Sequence, residues 1–325
     1  MSATAGHDVS GGAVPSGWEQ MTTVLTRPDA SEERARMAPP PARRLRIRLR
    51  MAQARALARA LILTGRTRAG RRLIVAARGM PPLQRALNRL LAFHGCFATL
   101  REAEQCVAGY ESADGHENAQ LTASQVAAAE TTRASDYPVL FHLAPIAGQL
   151  RSVFDLGGSV GNLFYVLSKH LRFADDLVWT VHDLPGKRPL ALALARERNE
   201  HRIAFVEDLD AASGVDLLIA VGSIHYFEAP LPELLRGLDR LPAHVMINRT
   251  PLFAGRAITY VHDNGEWVIP CKLHDADRLV RDMAALGYEM VAEWFAHERM
   301  MPVPLYPDYR EPYRGYYFRL RQTPA

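Results

Sequence analysis

The chain has 325 residues, 48% of them hydrophobic and 23% charged, and a formal net charge of +4. That suits one large core or one domain with an appendage, and it excludes collagenous, wholly disordered and disulfide-framed chains. Cys96, Cys106 and Cys271 stand in no CxxC or Cys/His metal spacing, so no metal is expected and a reducing, cytoplasmic setting is. No apolar run reaches the roughly 20 residues of a spanning helix. Residues 1–16 lack a basic stretch followed by an apolar core, so no signal peptide is expected there.

In chain order, residues 1–42 are rich in Gly, Ser, Pro and Ala and predict a disordered tail. Leu45, Leu49, Ala56, Ala60 and Leu63 then recur at helical spacing with Arg46, Arg50, Arg55 and Arg59 among them. This predicts a basic amphipathic helix over 43–63, extended by helical stretches at 71–78 and 83–93, so that 43–93 is a basic helical extension. Arginines recur throughout 34–101 with no Asp or Glu between them. Such a block suits an anionic partner: a membrane surface, a nucleic acid or an anionic glycan precursor. It equally suits a helix packed on the main domain, its arginine stems covering apolar surface. Residues 94–150 predict a helical cap. Thr99-Leu100-Arg101-Glu102 is a capping box opening a helix to about Tyr110, a second helix covers about 119–133, and Tyr137-Pro138 starts a third that runs to Leu150.

From Ser152 the sequence alternates strand and helix, which predicts a parallel sheet covered by helices on both faces over 151–325. Strands are expected at 153–156, 177–182, 203–206, 215–221 and 244–248, with the nearly all-apolar 215–221 central. Helices are expected at 161–171, 190–198 and 230–241, the last stopped by Pro242. Asp263-Asn264-Gly265 then marks a hairpin turn between 257–261 and 266–271. A helix at 275–286 and strands at 288–295 and 316–320 close the chain.

Between the first of these strands and its helix lies Asp155-Leu156-Gly157-Gly158-Ser159-Val160-Gly161-Asn162. Glycines let a backbone approach a ligand closely, and the helix start offers free N–H groups. Nicotinamide, flavin and sulfonium cofactors all use such turns. Asp155 separates them, because a carboxylate at that place repels a pyrophosphate and suits a cation. S-adenosylmethionine, with its ammonium and sulfonium and no phosphate, is the expected ligand, held by Asp155, Gly157, Gly158, Ser159, Gly161 and Asn162. Asp183, 22 residues beyond Gly161, is placed to accept ribose hydroxyls, or is simply a surface acid after a strand. Glu207 and Asp208 compete for the adenine amino group, and Asp208 is taken as the binder. Gly222-Ser223 follows the fourth strand and should border the cofactor. His225, next along, is a candidate general base or a cap of the following helix. Asn248-Arg249 follows the fifth strand, and Arg249 is expected to meet an anionic or polyol acceptor, or else to serve in a salt bridge. Tyr260 and His262 are weaker candidates.

Residues 94–320 resemble a methyltransferase family found among bacterial surface-polysaccharide and lipopolysaccharide genes. The resemblance is carried by His94-Gly95-Cys96-Phe97 with Glu102-Ala103, Asp136-Tyr137-Pro138-Val139-Leu140, the glycine turn, Ser223-Ile224-His225-Tyr226-Phe227, Asn248-Arg249-Thr250-Pro251 and Tyr313-Arg314-Gly315-Tyr316-Tyr317-Phe318. It implies the α/β Rossmann-like sheet of class I methyltransferases, with seven strands, mostly parallel and the last antiparallel, an N-terminal helical extension and a hairpin inserted after strand five. It also implies S-adenosylmethionine as cofactor but does not fix the acceptor; the leading expectation is O-methylation of a sugar or glycan hydroxyl, in the cytoplasm or, through the basic helix, at the periphery of the inner membrane. Methyltransferases usually carry Asp-x-Gly-x-Gly-x-Gly, whereas here Ser159 occupies the middle glycine position. A catalytically silent binding module on the same fold is the alternative, and Asp155 and Asp183 argue against it. A nicotinamide-dependent oxidoreductase is a more distant one. Nucleic-acid methylation lacks its base-reading motif after the fourth strand and any series of stacking aromatics.

Overall fold

The computed structural model describes residues 93–108, 131–253, 257–263, 268–300 and 312–321, with single residues and short runs between 53 and 87. The chain divides into two compact units, Met1–Arg50 and Met51–Ala325. The first, with the tail expected over 1–42, lies outside the described residues. In chain order the elements of the second are α1 (Arg68–Arg78), β1 (Phe93–Phe97), α2 (Leu100–Val107), α3 (Asp136–Leu143), β2 (Ser152–Leu156), α4 (Asn162–Ser168), β3 (Val178–His182), α5 (Arg188–Glu197), β4 (Ile203–Val206), β5 (Leu217–Val221), α6 (Leu231–Arg236), β6 (His244–Thr250), β7 (Leu252–Phe253), β8 (Ile258–Asp263), β9 (Val268–Asp275), α7 (Ala276–Ala285), β10 (Tyr288–Met300) and β11 (Pro312–Leu320).

Seven strands form one sheet in the order β10-β11-β6-β5-β2-β3-β4. The pairs β2–β3, β2–β5, β3–β4 and β5–β6 are parallel, and β11 runs antiparallel to both of its neighbours, β6 and β10. Period-2 alternation divides the core between the two faces. Val153, Trp179, Val181, Leu217, Ile219 and Met246 pack under helices α3, α4 and α5. Phe154, Leu156, Leu218, Ala220, Val245 and Ile247 pack on the other side with α6 and α7. The hairpin after the fifth strand is present as β8 and β9, antiparallel from Ile258↔Leu273 to Asp263↔Val268, and its turn residues 264–267 lie outside the described residues.

Three expectations need correcting. The hairpin grows into a separate four-stranded sheet, β1-β8-β9-β7. It recruits Phe93–Phe97, read from sequence as the start of a helical cap, as an antiparallel partner of β8. An exposed strand edge needs partners for its N–H and C=O groups, and a partner more than 160 residues away leaves no local trace. One face of this sheet, Tyr260, Ile269, Cys271 and Leu273, packs on Ala296 and Tyr313 of the main sheet, while Val261 and Val268 on the other face meet Ala103 and Val107 of α2. Next, α6 ends at Arg236 instead of running to Leu241, because the chain at Arg240 bonds back to the turn ahead of β5: Gly214 N–H donates to Arg240 O at 2.8 Å and Arg240 N–H to Ser213 Oγ at 3.0 Å. Finally, the third cap helix is α3 plus a 3₁₀ turn at Ala147–Gln149, and of the helix expected over 119–133 only 131–133 are described and are not helical. The Thr99 cap is present, with Glu102 N–H donating to Thr99 Oγ1 at 3.2 Å, while the Glu102 carboxylate reaches one residue further back and accepts from Ala98 N–H at 2.9 Å.

Candidate functional site

The glycine turn joins β2 to α4 at the carboxyl edge of the sheet, where ligands of open α/β sheets bind. Gly157 has φ +70°, and any Cβ there would overlap Ser223; a Cβ on Gly158 would overlap the Asp155 carboxyl group. Only glycine fits at either place. The turn is closed by its own bonds. Gly157 and Gly158 N–H donate to His182 O at 2.7 and 3.3 Å, Ser159 N–H to Asp183 Oδ2 at 2.7 Å, and Gly161 N–H to Gly158 O at 3.0 Å. Gly161 caps α4, and Asn162, half-buried, is its first residue.

Asp155 lies beneath this turn rather than facing a ligand directly. It is 1% exposed and accepts a 3.1 Å hydrogen bond from Trp179 Nε1. Burial pushes its pKa up to about 7; the Trp179 bond and, more weakly, Arg249 pull it down, while Asp183 pushes it further up. Near neutral pH the group is therefore only partly ionised, which weakens the electrostatic contrast expected from sequence.

A small cleft opens beside the turn, at the ends of β3 and β4, with Ser159, Asp183, Lys187, Phe205, Val206 and Glu207 among its walls. Asp183 Oδ1 accepts from Leu184 N–H at 2.8 Å and lies 3.8 Å from Lys187 Nζ, a lysine only 3% exposed. Of the two competing acids, Glu207 lines the cleft. Asp208, the residue expected there, is exposed and caps the 3₁₀ turn Leu209–Ala212 by accepting from Asp210 N–H at 2.9 Å. A cap needs the side chain folded back onto its own turn, which takes Asp208 out of the cleft.

On the other side of β2, the loop after β5 runs against the glycine turn. Gly222 N–H donates to Asn248 O at 2.8 Å, and Ser223 Oγ donates to Leu156 O. Ser223 thus locks the loop to the turn. His225 follows in a 3₁₀ turn, 5% exposed, its ring 4.0 Å from that of Tyr226 and edge-on to Tyr313 at 6.3 Å. The insertion sheet clamps this loop. His274 Nε2 donates to Ile224 O at 3.2 Å, Lys272 Nζ donates to Glu228 O and Oε1 at 2.7 and 2.8 Å, and Leu100 N–H donates to Glu228 Oε2 at 2.7 Å. Tyr260 is fully buried in the same sheet and His262 is half-buried.

Burial lowers the His274 pKa from 6.5 to about 4, against a raising contribution from the Ile224 carbonyl. The unfolded chain therefore binds a proton between those values that the folded chain refuses, and His274 makes native stability fall as pH drops from about 6.5 to about 4. Denaturant titrations of His274→Gln across that window should show this loss reduced by about 3 kcal/mol. Parallel curves for the two proteins would mean that the ring is solvated.

Arg249 departs most from expectation. It is 9% exposed and held at φ +49°. Its Nη1 donates to Asp136 Oδ1 at 2.6 Å and to Ser135 Oγ at 3.3 Å. Burial lowers its pKa, with Asp136 opposing. Next to it, Asn248 Nδ2 donates to Ser135 O at 2.8 Å, and its Oδ1 accepts from Trp294 Nε1 at 3.0 Å and from Arg249 N–H at 2.9 Å. Ser135 N–H in turn donates to Glu298 at 3.0 Å. Arg249 is committed to fastening α3 over the end of β6, because a buried guanidinium needs its carboxylate partner. It does not stand open to an acceptor.

No family profile and no curated protein matches the sequence. Solved structures match more distantly. A mitomycin 7-O-methyltransferase is 12% identical, with 68% of this chain and 59% of that one covered at a TM-score of 0.40. The Burkholderia thailandensis 1,6-didemethyltoxoflavin N1-methyltransferase is 18% identical over 62% of this chain and 88% of its own, at 0.40. The Streptomyces coelicolor A3(2) geranyl diphosphate C-methyltransferase is 12% identical over 65% and 89%, at 0.44. A [4+2]-cyclase also matches, at 16% identity over 57% of this chain and 80% of its own and a TM-score of 0.41. Scores this low carry no argument about chemistry. The strand order, with β11 reversed between β6 and β10, speaks to the architecture. The mostly parallel seven-stranded sheet with its last strand reversed is the architecture that the sequence resemblance implied.

Within that fold, sequence reading missed the roles of Trp179, Lys187, Asp136 and His274. Two had a signal: Trp179 pairs in register with Val153, two residues before Asp155, and Lys187 lies four residues beyond Asp183. Asp136, quoted from sequence only as part of a motif, and His274 act on residues 113 and 50 positions away, and no local pattern gives those roles.

Proposed function

We propose that the chain binds S-adenosylmethionine at the glycine turn and the adjoining cleft, and that it methylates a hydroxyl of a sugar or glycan. The observation that carries the cofactor is the closed turn. A dinucleotide pyrophosphate needs free N–H donors at this point, and those of Gly157, Gly158, Ser159 and Gly161 are already taken by protein acceptors. A phosphate-free adenosine ligand needs none of them. Asp183 stands at the cleft for the ribose hydroxyls, Phe205 and Val206 for the faces of the adenine, and Glu207 for its amino group.

When bound, the sulfonium supplies an activated methyl group. The residues around it have two tasks. The 222–228 loop, locked by Ser223 and clamped by His274 and Lys272, sets the distance and direction of attack, and positioning of this kind supplies most of the acceleration. His225 takes the proton from the attacking hydroxyl. The sugar class of acceptor is suggested by the surface-polysaccharide setting of the family that the sequence resembles, and the rings of Tyr226 and Tyr313 beside His225 suit the apolar face of a pyranose.

Titration calorimetry with S-adenosylmethionine, S-adenosylhomocysteine, NAD and NADP tests the first half; binding of a nicotinamide dinucleotide with none of the sulfonium compound would overturn it. Screening labelled methyl transfer onto glycan intermediates tests the second. In His225→Ala the donor affinity should stay while turnover falls roughly 10²–10⁴-fold, and unchanged turnover removes the base.

A further inference from the structure

We propose that the basic segment 53–87 is a docking surface for an anionic lipid bilayer. Its helix α1 is capped by Thr67, whose hydroxyl accepts from Gly70 N–H at 3.1 Å. The segment has its own small apolar cluster, Ile74 and Leu87 with Leu61 and Ala77, separate from the clusters of the two sheets. Among the described residues of the segment, that cluster leaves out five large apolar side chains. Leu57, Leu63, Leu73, Met80 and Leu83 are 51%, 60%, 66%, 53% and 44% exposed. Arginines run between them, and no Asp, Glu or Lys occurs anywhere in the segment.

Exposed leucines interleaved with arginines match an interface in which apolar side chains enter the acyl boundary while guanidinium groups meet lipid phosphates. Other occupants fit worse. A second copy of the chain would set one arginine-rich face against another. Single-stranded nucleic acid is held by stacking on aromatic rings, and residues 51–92 contain no Phe, Tyr or Trp. Among the described residues no helix is long and apolar enough to cross a membrane, so the contact is with a surface. This inference is independent of the reading of the glycine turn.

The full chain would be co-sedimented with phosphatidylcholine vesicles and with vesicles that also contain phosphatidylglycerol. The expected result is binding at least about tenfold tighter to the anionic vesicles, weakened by added salt. Leu63→Ser/Leu73→Ser should lose about tenfold on the anionic vesicles, and Arg59→Gln/Arg72→Gln should narrow the difference between the two vesicle types. Unchanged circular dichroism shows that the variants still fold. Absence of vesicle binding, equal binding to both compositions, indifference to the leucine substitutions, or displacement from vesicles by an equal charge of RNA would each overturn the proposal.

Discussion

Asp136→Ala is expected to lower the stability of the protein by about 3–5 kcal/mol. Asp136 is 2% exposed, and its carboxylate is the anionic partner of the Arg249 guanidinium at 2.6 Å. Removing it strands a buried cation whose other side-chain hydrogen-bond partner among the described residues is Ser135 Oγ at 3.3 Å. The loss should show as a lower denaturation midpoint in guanidinium chloride. Asp136→Ala combined with Arg249→Met should recover most of it, because replacing both members of a buried pair by apolar groups is often nearly neutral. A cost below about 1 kcal/mol for the single variant would place the pair among solvated surface bridges. The consequence for the site comes from geometry. The same contacts hold Ser135 against Asn248, so the single variant frees α3 from the end of β6 and loosens the wall nearest the β5 loop.

The second large effect concerns pH. Burial raises Asp155 from 3.8 to about 7. Between those values the folded protein holds a proton that the unfolded chain releases, so this group makes stability fall as pH rises from about 4 to about 7, by up to about 4 kcal/mol. Asn keeps an oxygen to accept from Trp179 Nε1 and has nothing to titrate. Asp155→Asn should match the parent near pH 4 and exceed its stability at pH 8 by an amount approaching that figure. The difference between the two proteins is the quantity to plot, because His274 contributes the opposite slope between about 4 and 6.5 in both. A flat difference curve would mean that water reaches the carboxyl group. With a loss for Asp136→Ala as well, the carboxyl edge of the sheet would rest on two buried acids with opposite effects: one is needed as an anion, the other is most favourable when protonated.

Much of the architecture was legible in the chain. Strands β2 to β6 and helices α4, α5 and α7 fall where alternation and helical spacing placed them, since each buries its own stripe of apolar side chains. The glycine turn was legible for the same reason: the close approaches of Gly157 and Gly158 are constraints that only glycine meets. Individual side-chain roles were less so. Asp208 and Glu207 are adjacent, and only the path of the chain after β4 decides which one caps a turn and which one faces the cleft. Arg249 was expected just past a strand, where a ligand-binding residue would stand, yet it lies within β6 and its partner sits 113 residues earlier.

Sequence alone thus determined the layered α/β class, the place of the turn and the kind of residue around it, because backbone sterics and hydrophobic period act over a few residues. Tertiary structure decided that β1 completes a second sheet, that this sheet grips the His225 loop through His274 and Lys272, and that Asp155 and Arg249 are buried groups rather than open ones. Those outcomes depend on desolvation and on pairing between distant segments, and both exist only once the chain has closed on itself.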